Sequence, residues 1–349
     1  MKKTVIAVLF GGCSTEYEIS LQSAYAVLEH LDKSQFTPLA VGITQEGAWN
    51  YYTGPYSRIL DGTWASVPAF LQPCILSSDR TRHELLVFTP QKVYYAIDAV
   101  FPVLHGKNGE DGTVQGAVQL AGIPLIGCGT LSSALCMDKK RAHDLVRLAG
   151  IESAKSVSVQ QGDSDEVITG AAKTLQYPIF VKPVRSGSSF GITRLTEPQE
   201  LLSAVRQAFA HDRQVLLEEA VDGIEVGCAI YGNETLSAGL VDEIELSDGF
   251  FNFEEKYTLK TSQIHCPARI SEETAAELIA TAKQIYRILD CRVFARVDLF
   301  LTPSGKIYFN EVNTIPGFTP HSRFPTMLQG VGLSFTELLS KLIELGMQP

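Results

Sequence analysis

Asp298, Glu311 and Asn313 stand in a stretch whose pattern would bring them together. Between Arg296 and Asn313, two apolar, β-prone runs flank Pro303-Ser304-Gly305, which reads as a hairpin. With the turn centred between Ser304 and Gly305, Asp298 lies opposite Glu311 and Arg296 opposite Asn313. Directly opposed residues share a face, as do residues two apart on one strand. One face then carries Asp298, Glu311 and Asn313 with Arg296 beside them. The other carries Val297, Leu299, Leu301, Tyr308 and Val312 as core. Facing carboxylates repel unless positive charge sits between them. Three hard oxygen donors suit Mg²⁺, which takes a few carboxylates plus substrate phosphates. A solvated face paired with lysines is the competing reading. Against it, the Pro-Gly turn in Thr314–Thr319 would fold a loop back over the acidic face.

Several cationic and glycine-rich stretches could serve a phosphate. Tyr177–Pro183 reads as a buried strand ending in Lys182, followed by the Gly/Ser loop 184–191. Backbone N–H groups and hydroxyls in such a loop can wrap phosphate oxygens. It is not a G-x-x-x-x-G-K-[ST] loop, and a plain linker is the alternative. The strand 215–221 presents Glu218 and Glu219 at its end, which suits an adenine amino group and a ribose, or simply solvent. Lys139 and Lys140 open a helix running to Leu148, with Asp138 near its first turn, and an ordinary solvated face would look the same. Glu16 follows Gly11-Gly12 at a helix start, where it either caps the helix or holds a substrate ammonium. His105 and Glu110 share a Gly-rich loop after a strand, where function is commoner than packing.

The elements positioning these residues begin with strand 3–10, a tight loop and a helix over 19–31. This is the opening of an open α/β sheet, where ligands sit at the carboxyl ends of strands. Strand 99–104, helix 114–121 and a short strand 123–126 follow. Beyond residue 130 the pattern changes, so units over 1–130, 131–222 and 223–349 are expected. Strand 192–195, helix 198–210, strand 226–231, helix 271–289 and a closing helix 334–345 complete the reading. Residues 244–257, polar and aromatic without periodicity, read as a loop.

The chain has 349 residues, enough for two or three domains. Its net charge of −10 argues against a general nucleic-acid binder. Seven cysteines without a C-x-x-C pair fit a reducing cytosol. The first apolar run is too short for a signal-peptide core, and no stretch approaches the ~20 apolar residues of a membrane span.

Taken in order, FGGCSTEYEIS (10–20), LHGKNGEDGTVQG (104–116), MDKKRAH (137–143), FVKPVRSGSSFGIT (180–193), EEKY (254–257), RVDLF (296–300) and NEVNTIPGFT (310–319) resemble the ATP-grasp enzymes. Within them, the chain is similar to the D-alanine–D-alanine ligase family from first strand to last helix. The resemblance implies a three-domain ATP-grasp α/β fold with an open α/β N-terminal domain. It implies a cytoplasmic homodimer that uses ATP and two Mg²⁺ (or Mn²⁺), the ions on Asp298, Glu311 and Asn313. Lys139, Lys182 and Lys256 would hold phosphates, with Ser189, Glu218, Glu219, Val221 and Glu225 around the nucleotide. Glu16 would take the first D-alanine's ammonium near His105. Arg296 and the Gly317 backbone would stabilise a tetrahedral intermediate, and Ser188 and Tyr257 would link to Glu16 and close the site.

One place departs from the family pattern. After PGFT the family commonly has serine and then Met or Leu; here Ser322 is followed by Arg323. With Phe250 in DGFFNFEEKY, this resembles the D-alanine–D-serine ligases of vancomycin-resistant bacteria. Arg323 is expected to donate to a D-serine hydroxyl, the alternative being an arginine in solvent or paired with a surface acid. A housekeeping D-alanine–D-alanine ligase and a non-catalytic nucleotide binder are the competing functions.

Overall fold

The computed structural model describes residues 2–187, 190–246 and 262–348. Its first sheet is built from β1 (Thr4–Gly11), β2 (Phe36–Ile43), β3 (Trp49–Tyr52), β4 (Leu71–Leu76), β5 (Glu84–Val87), β6 (Val93–Ala96) and β7 (Ala99–Pro102), in the order β6-β5-β4-β3-β2-β1-β7. Helices α1 (Tyr17–His30), α2 (Ser57–Leu60) and α3 (Thr113–Leu120) accompany it. β1 pairs in parallel with β2 and β7 and is buried from Ile6 to Gly11, as expected of a strand covered on both faces. Because β1 and β7 are parallel neighbours, the loops carrying Glu16 and His105 leave the same sheet edge side by side.

Helices α4 (Thr130–Met137) and α5 (Lys139–Leu148) lead to a second sheet of β8 (Ser156–Gln160), β9 (Ile179–Pro183), β10 (Thr193–Leu195) and β11 (Gln214–Glu219), ordered β10-β9-β11-β8. α6 (Asp165–Ala172) and α7 (Leu201–Ala208) belong to this segment. Its core, including Val159, Ile168, Val181, Val205 and Leu217, is a cluster separate from the others among the described residues.

The third sheet runs β14-β13-β12-β15-β16, from β12 (Ile224–Gly232), β13 (Leu236–Leu246), β14 (Ser262–His265), β15 (Phe294–Leu301) and β16 (Ile307–Asn313). One face packs on α8 (Glu272–Ile288) through Val226, Cys228, Leu278 and Tyr286. Phe324, Met327 and Leu328 of α9 (Arg323–Gln329) and Leu338 and Leu342 of α10 (Phe335–Gly346) join the core of the first sheet. First and third sheets thus share one hydrophobic cluster, although opposite ends of the chain supply them. Among the described residues, no helix is long and apolar enough to cross a membrane.

Three expectations need correction. Residues 123–126 form no strand, only an isolated bridge from Val100 to Leu125. Ile244 to Leu246 is the end of β13 rather than loop, because Glu243 to Leu246 pair with β14. In the hairpin, Phe309 is the buried residue and Tyr308 is only half-buried. Arg296↔Asn313 and Asp298↔Glu311 pair as expected, but the register then shifts to Leu299↔Phe309 and Leu301↔Ile307, so the turn centres on Ser304 rather than between Ser304 and Gly305. The extra residue, Asn310, is a β-bulge, which reverses side-chain parity between turn and site.

Candidate active site

The third sheet carries a row of acids. Gly227 of β12 pairs with Asp242 on one side and Asp298 on the other, and Asp298 pairs with Glu311. All four positions therefore face one way, opposite the α8 core. Two arginines neutralise the row. Arg296 Nε and a terminal guanidinium nitrogen donate to the two oxygens of Asp298 at 2.8 and 2.7 Å. Arg323, from the first turn of α9, donates to both oxygens of Asp242 at 2.7 Å and lies 3.6 Å from Asp298 and 3.7 Å from Glu225. Burial works against the charge of both arginines, but the acids outweigh it and raise both pKa values. Neither sequence reading of Arg323 anticipated this: it is paired, but with acids buried in the sheet, and it still lines a cavity. Asp242 is not among the candidates that the sequence offers; its signal there is an acid inside the apolar run Leu240-Val241-Asp242, on a strand whose end falls in the stretch expected to be loop.

That cavity, of about 290 Å³, lies where loops from the first sheet meet the third. Its wall includes Glu16, His105, Arg296, Gly317, Ser322 and Arg323. Glu16 occupies the N-cap position of α1 without capping it, and is 7% exposed. A Cβ added to Gly106 or Gly187 would lie 2.4 or 2.7 Å from its Oε2, so two loops pass close around one carboxylate. His105 Nδ1 donates to the Ile315 carbonyl at 2.9 Å, which assigns the tautomer. Its Nε2 then accepts from Ser23 Oγ at 3.2 Å, and Ser23 Oγ accepts from the Phe318 N–H. Burial lowers the pKa of His105 and keeps the ring neutral. Glu110, which shares the Gly-rich loop of His105, accepts from the Gly106 and Ile315 N–H groups. Burial, helped by nearby Glu16, raises its pKa to about 8. The Pro-Gly loop therefore does fold back over the acidic face, fastened by His105 and Glu110. Ser322 Oγ accepts from the Thr319 N–H at 3.1 Å and bonds its hydroxyl, which shapes the same loop.

A second cavity, of about 670 Å³, opens between the second and third sheets. Lys139, Lys182, Glu218, Glu219, Val221 and Glu225 all line it, as do Phe180, Asn310 and Glu311. Lys182 lies opposite Leu216, so Glu218, two residues on, shares its face and binds its Nζ at 2.5 Å. Burial alone would raise the Glu218 pKa; Lys182, then His143, bring it below the ordinary value. His143 donates from Nε2 to the bulge carbonyl of Asn310 at 2.8 Å and turns Nδ1 towards Glu218 at 3.4 Å. Glu219 accepts from the Gln176 N–H at 2.8 Å, at the cavity rim. Lys139 begins α5, whose N-cap Asp138 accepts from the Arg141 N–H. Its Nζ reaches the Ser186 carbonyl at 2.8 Å and Glu311 at 3.8 Å. Lys139 and Glu311 line both cavities.

Two carboxylates and a carboxamide on this face fit a hard divalent cation by donor type. Asn313 Nδ2 donates to Asp298 at 2.9 Å, so its Oδ1 is the atom left to face a cation. Among the described residues no all-protein metal cage forms, so such an ion would take part of its shell from a phosphate substrate. The expected roles of Ser188, Ser189, Phe250, Lys256 and Tyr257 lie outside the described residues.

Family models settle the ancestry of this arrangement. The D-ala D-ala ligase N-terminus matches residues 5–128 and the D-ala D-ala ligase C-terminus residues 145–344. The chain belongs to the D-Ala–D-Ala ligase family. It is 43% identical to the vancomycin B-type resistance protein VanB of Enterococcus faecalis, over all of both chains. It is 42% identical to a D-alanine–D-alanine ligase of Caldicellulosiruptor bescii, covering 100% of this chain and 96% of that one. The crystal structure of VanG D-Ala:D-Ser ligase from Enterococcus faecalis superposes with a TM-score of 0.92 at 53% identity, over 99% of this chain and 100% of that one. The fold is accordingly the ATP-grasp fold of these ligases, and the protein is a ligase of the D-Ala–D-X type.

Proposed function

We propose that this ligase joins D-alanine to D-serine at the expense of ATP, through a D-alanyl phosphate. The observation that carries the choice of D-serine is Arg323, a charged guanidinium, largely withdrawn from solvent, in the wall of the cavity that holds Glu16 and Arg296. A methyl side chain gains nothing from such a wall, whereas a hydroxyl can accept from it. A pocket built around a hydroxyl also rejects an analogue lacking it, since its polar group is then left unpaired.

The rest of the site supports the chemistry. Glu16 would hold the ammonium of the first D-alanine beside neutral His105. Lys139 and Lys182 would hold ATP phosphates in the neighbouring cavity, so that both substrates meet at Glu311 and Lys139. A divalent ion on Asp298, Glu311 and Asn313 would neutralise charge on the β- and γ-phosphates. The D-alanine carboxylate oxygen attacks the γ-phosphorus, ADP leaves, and a mixed anhydride results. The free amine of the second amino acid then attacks the acyl carbon, phosphate leaves and the amine loses a proton. Arg296 and the Gly317 N–H would stabilise the oxyanion between these events. Lys256, Ser188 and Tyr257 would complete the site on closure and exclude water from the anhydride. The product would enter cell-wall precursors ending in D-serine, which vancomycin binds poorly.

The test is product analysis with D-alanine alone and with D-alanine plus D-serine, in the native protein and in Arg323→Met. D-Ala–D-Ser should dominate in the mixture, and the variant should lose that preference. An unchanged preference in the variant, or D-Ala–D-Ala as the main product of the native protein, would leave a housekeeping ligase.

A further inference from the structure

Gly227 sits in the middle of β12, the central strand of a five-stranded sheet, where a glycine has no side chain to pack and weakens the strand. Its backbone does not need glycine, because its φ is not in the left-handed region. What needs glycine is the space above it. A Cβ there would lie 2.4 Å from a terminal nitrogen of Arg323 and 2.5 Å from Asp242 Oδ1. Gly227 is flanked in register by Asp242 and Asp298, the two acids that Arg323 approaches. The missing side chain is therefore a slot in the acid row, and the guanidinium fills it.

We infer that Gly227 is a specificity-positioning residue: it lets Arg323 lie flat across the sheet between Asp242 and Asp298, and any side chain there drives the guanidinium out of its place in the second-substrate wall. An arginine is usually accommodating at its far end, but this one is fixed by two bonds to Asp242 and is 9% exposed. Both members of the pair would have to move. The inference rests on the reading of Arg323 as the D-serine determinant.

The experiment is a cycle of Gly227→Ala, Arg323→Met and the double variant, measuring kcat/KM for D-serine and D-alanine as second substrate, KM for ATP and Tm. Gly227→Ala should cut the D-serine to D-alanine preference by roughly tenfold or more, largely through KM for the second amino acid. KM for ATP should not change. In the Arg323→Met background the same alanine should have no further effect on preference, since its target is gone. If Arg323→Met shifts the preference and Gly227→Ala does not, the slot is incidental and the inference falls while the D-serine reading stands. If Arg323→Met shifts nothing, the D-serine reading falls first and takes the slot with it. Should Gly227→Ala fail to fold, the double variant decides: it should recover the Tm of Arg323→Met alone. A double variant as unstable as the single one would mean that glycine serves only the strand.

Discussion

The two cavities are walled in different ways. On the side proposed for the nucleotide, Lys182, Glu218 and Glu225 all stand on strands, and sheet register fixes who faces whom. On the side proposed for the amino acids, Glu16, His105 and Gly317 stand on loops, and bonds from side chains to distant backbone fix them: His105 to Ile315, Ser23 to Phe318, Glu110 to Ile315. The supports differ as well. The first and third sheets share a continuous core beneath the amino-acid side, whereas the second sheet has a core of its own. A register-built wall suits a cosubstrate that does not vary, whereas Arg323, on the first turn of α9, reaches the other cavity from a helix and is held there by Asp242 of the third sheet.

The strongest way to break this division is at Glu311, which belongs to both sides. Glu311→Gln should lower kcat by roughly 10²–10⁴, the worth of several kcal/mol of charge stabilisation, with either second substrate. Single-turnover ADP release measures it, and a variant that altered only selectivity would refute the shared role. Next, Lys182→Met should raise KM for ATP about tenfold or more by removing the cation proposed to hold a phosphate, a loss of at least ~1.4 kcal/mol, and leave the D-serine to D-alanine ratio alone. A changed ratio would mean that the two walls are coupled.

Glu110 offers a pH test confined to the loop-built wall. Its folded pKa, about 8, lies above its ordinary value, so the folded state holds a proton that the unfolded chain has lost. The stability contributed by the neutral carboxyl is complete below the ordinary carboxylate pKa and disappears as pH rises through about 8. Tm should therefore fall more steeply between pH 6 and pH 9, by about as much as one titrating group allows, in the native protein than in Glu110→Gln. Parallel curves would show that the group does not titrate there. Ser23→Ala removes a hydroxyl shared by His105 and the Phe318 N–H and should cost about 1 kcal/mol in urea unfolding, the smallest of these effects. A loss within error would mean that the two partners find others.

Legibility in the sequence followed the same division. Strands and helices with clear periodicity lie close to where the pattern puts them, and Ser271 and Ser334 cap their helices as their types suggest. The pairing of Asp298 with Glu311 agrees with the expected register only because two departures cancel: the turn centres on Ser304, which shifts the ladder one way, and the bulge at Asn310 shifts it back. Tyr308 was misassigned because a bulge leaves no mark in an alternating pattern. Asp242 carries only the weak mark of an acid in an apolar run, because its partner, Arg323, lies on a helix 81 residues further along the chain. The fastening of the Pro-Gly loop could not be read either, since it joins residues from the two ends of the chain.

The bulge at Asn310 has a practical side. It stands between the acids and the exposed tip at Pro303–Lys306, so the ladder spacing is reset before it reaches the tip. Extra residues spliced between Ser304 and Gly305 would lengthen the ribbon outward into solvent and leave the far end in step. That makes this tip a natural attachment point for an epitope or a fluorescent reporter on a working enzyme.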